Sequence, residues 1–201
     1  MTEKPAWMAA AGPGWTRGSI EPVYDNPWIN VTEHRPTAPT GRAALYGVIH
    51  MKNLALGVLP LHDDGTVTLI GQHRYVFGDY SWELPEGGGL VGEDPLENAK
   101  RELAEEAGLA AAHWKQILAF QVSNSVTDER GFGYLATGLT PAPVAPDENE
   151  ALAIVRVPFR EALAQATAGN ILDMITVAML LRAYHMAHEG ELPVELTRAM
   201  L

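Results

Sequence analysis

The sequence predicts an α+β fold, a mixed sheet flanked by a small number of helices. Three observations carry that prediction. Short alternating apolar runs, broken by turn residues, fill the first part of the chain and recur between residues 116 and 157. One strongly signalled helix interrupts them at residues 94–107, and two more helical stretches, Phe159–Ala168 and Asp173–His188, follow. With 201 residues, 47% of them hydrophobic and 19% charged, the chain can bury one good core but not two comfortable ones.

Residues 1–14 carry proline and glycine with little periodicity, and the chain is expected to begin disordered. From Trp15 to Val31 short apolar stretches alternate with turn residues, notably Asp25-Asn26-Pro27, and read as short strands. Thr37–Arg42 reads as a turn and Ala44–Ile49 as a strand. The clearest β signal is Leu54–Leu61, the turn Asp63-Asp64-Gly65, then Thr66–Gly71, which together predict a hairpin that Arg74-Tyr75-Val76-Phe77 extends. Further strands are expected at Gln116–Val122, Gly133–Leu139 and Leu152–Val157. No internal repeat or low-complexity tract stands out.

Charge and composition exclude several classes of function. The 25 acids against 14 Lys plus Arg give a net charge of −11, with no basic run to neutralise a nucleic-acid backbone. An acidic protein that handles phosphates would need divalent cations to do so. The absence of cysteine removes a disulfide framework, a thiolate zinc site and a cysteine nucleophile. Met1-Thr2-Glu3-Lys4-Pro5 lacks the basic-then-apolar pattern of a signal peptide, and no apolar run approaches the ~20 residues that span a bilayer. The expected location is the cytoplasm, with no membrane partner.

The helix at 94–107 has agreeing start signals. Asp94 suits the N-cap, Pro95 the first helical position, and Glu97 the far side of a capping box. Gly108 supplies the stop. Leu96, Ala99, Leu103 and Ala107 form the buried stripe. On what reads as the exposed face, Glu102, Glu105 and Glu106 fall within an arc of about 100°. Like charges at that spacing repel by a few tenths of a kcal/mol per pair. Arg101 offsets part of this, and a bound hard dication would offset more, because Mg²⁺ prefers carboxylate oxygens. Taken alone such a face reads as solvated surface. The glycine-rich turn Leu84-Pro85-Glu86-Gly87-Gly88-Gly89 just before it changes that reading, since glycine lets a ligand approach the main chain.

Gly87, Glu93, Arg101-Glu102-Leu103, Glu105-Glu106 and Gly108-Leu109 fill the pattern G-x5-E-x7-R-E-U-x-E-E-x-G-U, where U is a bulky aliphatic. The chain thereby resembles the Nudix family, whose box is complete here. Trp82-Glu83-Leu84-Pro85-Glu86-Gly87-Gly88 and Tyr24-Asp25-Asn26-Pro27-Trp28-Ile29 resemble the ADP-ribose and nucleotide-sugar pyrophosphatase branch, so that the likeness spans most of residues 15–160. The resemblance implies a Nudix fold, an α/β/α sandwich with a mixed sheet at residues 51–201, preceded by an N-terminal β segment at residues 1–50 that helps form a homodimer. It implies Mg²⁺-dependent hydrolysis of a diphosphate linkage, with Mn²⁺ a possible substitute and water as the nucleophile.

Carried over residue by residue, the resemblance makes Glu102 and Glu106 metal ligands and Glu105 a ligand or water-mediated partner. The main-chain carbonyl of Glu86 would be a further ligand, Arg101 would orient the glutamates, and Glu93 would tie the loop to the helix. In the acidic loop Asp147-Glu148-Asn149-Glu150, Glu148 stands as general base and Glu150 as a metal ligand or alternative base. Trp28 is a candidate for stacking on the nucleobase, and an ordinary core or interface aromatic reads equally well. Arg74 matches a phosphate-contacting position, against the plain reading of a surface arginine on a strand. One departure widens the substrate class. ADP-ribose enzymes commonly carry a proline after the box, whereas Ser123–Glu129 has none, leaving other nucleotide sugars open. Asp128 and Glu129 add acids of unassigned role there, and His185 and His188 read as surface residues.

Overall fold

The computed structural model describes residues 4–143 and 151–201, so Glu148 and Glu150 lie outside the described residues. The chain divides into two compact units, one comprising residues up to Lys52 with Ser123–Asp128, the other Asn53–Val122 with Glu129–Leu201.

The first unit is a three-stranded antiparallel sheet in the order β1 (Ile20–Asp25), β2 (Ile29–His34), β3 (Tyr46–Met51). The Asp25-Asn26-Pro27 cluster turns the chain because Asn26 Oδ1 accepts the N–H groups of Trp28 and Ile29, each at 2.8 Å. Pairing slips by one residue between Pro22 and Tyr24, beside the proline that has no ladder donor. Residues 123–128 add to this unit through a parallel bridge of Thr127 to Ile49. Asp128 takes the Met51 N–H at 3.1 Å and pairs with His50 Nδ1 at 2.6 Å. Near the expected disordered start, Ala6–Met8 form one 3₁₀ turn that buries nothing.

The second unit holds β4 (Asn53–Pro60), β5 (Thr66–Arg74), β6 (Asp79–Glu83), β7 (Glu86–Leu90), α1 (Pro95–Ala107), β8 (Leu109–Gln121), β9 (Arg130–Pro141), β10 (Ala153–Pro158), α2 (Phe159–Thr167), α3 (Met174–His188) and α4 (Val194–Met200). One sheet runs β7-β4-β9-β8, with β4 parallel to β9, and the other runs β10-β5-β6. Successive strand residues point to opposite faces. Val58, Ile70, Tyr134 and Ala136 pack with Ala99, Leu103 and Ala107 of α1. Their neighbours Leu59, Leu69 and Leu135 pack with Phe159 of α2 and Met179, Leu180 and Ala183 of α3. Strand layers between α1 and the α2–α3 pair make an α/β/α sandwich. No helix among the described residues is long and apolar enough to cross a membrane.

Several elements differ from the sequence expectation. The turn at Asp63-Asp64-Gly65 forms, with Gly65 at φ 78°, but after one bridge, Leu61 to Val67, its strands part into different sheets. A hairpin was expected because the turn is local, whereas β4 finds better partners in the distant β7 and β9. Tyr75–Gly78 do not extend β5. They form an exposed turn closed by Arg74 carbonyl bonds to the N–H groups of Phe77 and Gly78. β8 starts at Leu109, directly after the helix stop, rather than at Gln116. The short α4 had no visible periodicity, although it buries Leu196 and Met200.

Candidate active site

The site is built on α1 and the strand before it. Asp94 caps α1 by accepting the Leu96 N–H at 2.9 Å, Pro95 opens it, and Gly108 ends it in the left-handed conformation at φ 63°. Glu97 departs from the expected capping box, because its carboxylate is drawn to Lys100 Nζ at 2.7 Å, one turn on. Glu93 accepts the Asn98 side-chain amide at 3.1 Å and ties the loop to the helix.

The glycine-rich segment expected to be a turn is strand β7, with Gly87, Gly88 and Gly89 paired to Leu56, Ala55 and Leu54. Glycine weakens a strand unless something must come close to the backbone. Here α1 does. A Cβ on Gly87 would stand 2.1 Å from the Glu102 carboxyl carbon, and one on Gly89 would stand 3.1 Å from Asn98 Cβ.

That close approach corrects the expectation of an exposed acidic face. Glu102 and Glu106 are only 8% and 4% exposed, while Glu105 stays partly open. Burying carboxylates is costly without charged or hydrogen-bonding partners. Arg101 donates through Nη2 to Glu102 Oε1 and through Nη1 to Glu105 Oε2, each at 2.5 Å, and Nη2 also reaches the Gly88 carbonyl at 3.1 Å. Burial works against the Arg101 charge, yet Glu102 and Glu105 hold the guanidinium more firmly protonated than usual. Glu106 Oε2 accepts the Glu86 N–H at 2.9 Å.

A second polar group spans the end of β6 and the start of β7. Glu83, 3% exposed, is paired with Arg74, whose Nε lies 2.9 Å and 3.1 Å from its two oxygens while Nη2 also donates. Glu83 raises the Arg74 guanidinium above its ordinary value despite partial burial. Arg74 is thus not a plain surface arginine, since one edge of its guanidinium serves Glu83. The Glu86 carboxyl turns toward α3, where Thr176 Oγ1 donates to it at 2.9 Å. Burial and the neighbouring Asp173 push that carboxyl well above the usual range, partly opposed by the Thr176 bond. In the sequence Glu83 stands only as one member of the Trp82–Gly88 motif, and Thr176 and Asp173 carry no local signal.

The structure therefore brings Glu86, Arg101, Glu102, Glu105 and Glu106 together, with Arg74 in the same unit. Trp28 belongs to the first unit, where it is 65% exposed. Asp128 also belongs to the first unit, and His185 and His188 are exposed on α3. Among the described residues, no three acidic or histidine side chains already surround one point suited to a metal ion. The donor set nevertheless fits a hard dication. It offers two buried carboxylates, one of them bonded to the Glu86 N–H, and Mg²⁺ needs only one or two carboxylates when it keeps its waters.

Comparison with known proteins points the same way. The family model described as "NUDIX domain" matches residues 51–175. An ADP-ribose pyrophosphatase of Mycobacterium tuberculosis is 33% identical over 139 residues, 68% of this chain and 67% of that protein. An ADP-ribose pyrophosphatase of Bacillus subtilis is 27% identical over 158 residues, 78% of this chain and 85% of that protein. A solved structure described as an ADP compounds hydrolase shares the fold at a TM-score of 0.80 and 21% identity, covering 92% of this chain and all of that one.

Proposed function

Because this chain belongs to the Nudix family, we propose that it hydrolyses the diphosphate linkage of ADP-ribose or a related nucleoside diphosphate sugar, releasing a nucleoside monophosphate and a sugar phosphate. The observation that carries this reading is the pair of buried glutamates on α1, Glu102 and Glu106, held by Arg101 and by the Glu86 N–H. Buried carboxylates on a glycine-lined face serve no core-packing purpose and suit a divalent cation.

Glu102 and Glu106, with Glu105 and the Glu86 carbonyl, would hold Mg²⁺, for which Mn²⁺ could substitute. When bound, the metal neutralises diphosphate charge and lowers the pKa of a water. Arg101 keeps the glutamate oxygens in place before the metal arrives. Arg74, already fixed by Glu83, would direct its remaining donors to a substrate phosphate. Glu148 is assigned as the general base and Glu150 as a metal ligand or alternative base, with Trp28 stacking on the nucleobase. The domain division also belongs to this reading. Residues 1–50 would mediate a homodimer and residues 51–201 would carry the reaction, in the cytoplasm and without nucleic-acid partners.

The missing proline in Ser123–Glu129 favours a substrate range wider than ADP-ribose alone. A panel of ADP-ribose, UDP-, GDP- and ADP-sugars, dinucleoside polyphosphates and nucleoside triphosphates with Mg²⁺ tests the assignment. Nucleoside monophosphate release is expected from the diphosphate sugars first. Preferred turnover of dinucleoside polyphosphates or triphosphates would replace the substrate class. Binding without turnover of any of them would make the chain a sensor instead of an enzyme.

A further inference from the structure

Leu84 and Glu86, on either side of Pro85, both end on one hydroxyl. Thr176 Oγ1 accepts the Leu84 N–H at 2.8 Å and donates to Glu86 Oε1 at 2.9 Å. Thr176 is fully buried, at 0% exposure. Its position depends on a missing side chain. Gly57 is the register partner of Glu86, and a Cβ there would come within 2.6 Å of Ile175 Cγ2 and 3.1 Å of Met179 Sδ. Any larger residue would push on the Ile175 and Met179 side chains through which α3 packs on the strand. Asp173 then fixes that turn by accepting the Thr176 N–H at 2.7 Å.

The residue pinned in this way also touches α1. The Glu86 N–H reaches Glu106 Oε2 at 2.9 Å, so the placement of one peptide joins α3 to the acidic helix. Two bonds to a single buried hydroxyl define that placement more tightly than β pairing at a strand end can.

We infer that Thr176 is a positioning residue for Glu106, acting through Leu84 and Glu86 to fix the peptide that holds this carboxylate ready for a divalent cation. The inference rests on the proposed reading of Glu106 as a metal ligand. Loss of a group that orients a metal ligand typically lowers metal affinity or activity by about 10–100-fold. Valine keeps the shape of threonine and removes both bonds, whereas serine keeps both.

The test uses full-length protein and compares Thr176→Val with Thr176→Ser. Mn²⁺ affinity is read by electron paramagnetic resonance without substrate, and kcat and KM are read separately with ADP-ribose. Thr176→Val should weaken Mn²⁺ binding and lower kcat by about tenfold or more, with KM changed by less than about threefold. Thr176→Ser should stay close to wild type in all three. Unchanged Mn²⁺ affinity in Thr176→Val, or equal defects in the two variants, overturns the role. If Thr176→Val fails to fold, Glu86→Ala cuts the same link while keeping the Leu84 bond. It should weaken Mn²⁺ binding, and wild-type affinity there would overturn the inference. Wild-type protein that binds Mn²⁺ but leaves ADP-ribose intact would refute that substrate, while the Mn²⁺ comparison still decides the role of Thr176.

Discussion

Gly87 and Glu102 compete for one space: a Cβ on the glycine would lie 2.1 Å from the carboxyl carbon of the glutamate. The glycine therefore leaves room for the buried Glu102 carboxylate where Arg101 also reaches the Gly88 carbonyl.

Gly87→Ala should accordingly displace the Glu102 carboxylate and lower turnover by about 10–100-fold, as removal of a metal-ligand support does. Moving that buried carboxylate off its hydrogen-bonding partners also costs about 1–3 kcal/mol. Steady-state kinetics with a thermal melt checks both. Wild-type turnover with an unchanged melt would mean that the close approach is not needed.

Leu103 anchors the opposite face of α1. It is fully buried with Val58, Ile70 and Tyr134, so Leu103→Ala should destabilise the protein by about 2–5 kcal/mol in denaturant unfolding. Loss of less than about 0.5 kcal/mol, the range of an ordinary surface change, would place Leu103 outside the core.

The Arg74–Glu83 pair separates structure from binding. Arg74→Ala leaves the buried Glu83 without its cation and should cost about 1–3 kcal/mol, reduced from the fully buried case because the arginine is 42% exposed. Adding Glu83→Gln should restore much of that stability, because the unpaired charge is gone. If Arg74 also contacts substrate phosphate, the double variant will stay raised in KM after stability returns. A KM that recovers together with stability would reduce Arg74 to a partner of Glu83.

Much of α1 was legible because its information is local. The cap at Asp94, Pro95, the stop at Gly108 and the stripe of Ala99, Leu103 and Ala107 all lie within one short stretch and obey helix geometry alone. The same locality explains the errors. Glu97 could complete a capping box on spacing, but Lys100 lies one turn away and takes its carboxylate. Glu102 and Glu106 read as exposed because their cover, β7, is three glycines that look like a turn until β4 pairs with them. The β4–β5 hairpin does not form for a related reason, since β4 pairs with the later strands β7 and β9 while β5 turns back on β6 and takes β10 on its other edge. Thr176 and Asp173 stand about 90 residues from Glu86, and no spacing rule links them. What stayed unreadable was which distant element closes over a motif.

Whether the α1 carboxylates support metal-dependent hydrolysis, as proposed, is decided by Glu106→Gln. Glutamine keeps an oxygen to accept the Glu86 N–H, so the fold should survive while the negative charge proposed to hold the metal is lost. The measurement is nucleoside monophosphate release from ADP-ribose with Mg²⁺, on variant and wild type, with a chelated control and a melt of each. Chelation is expected to abolish wild-type turnover, and the folded Glu106→Gln protein is expected to be about 100-fold or more slower. Turnover by folded Glu106→Gln within a few-fold of wild type, or wild-type turnover indifferent to chelation, would contradict the proposal.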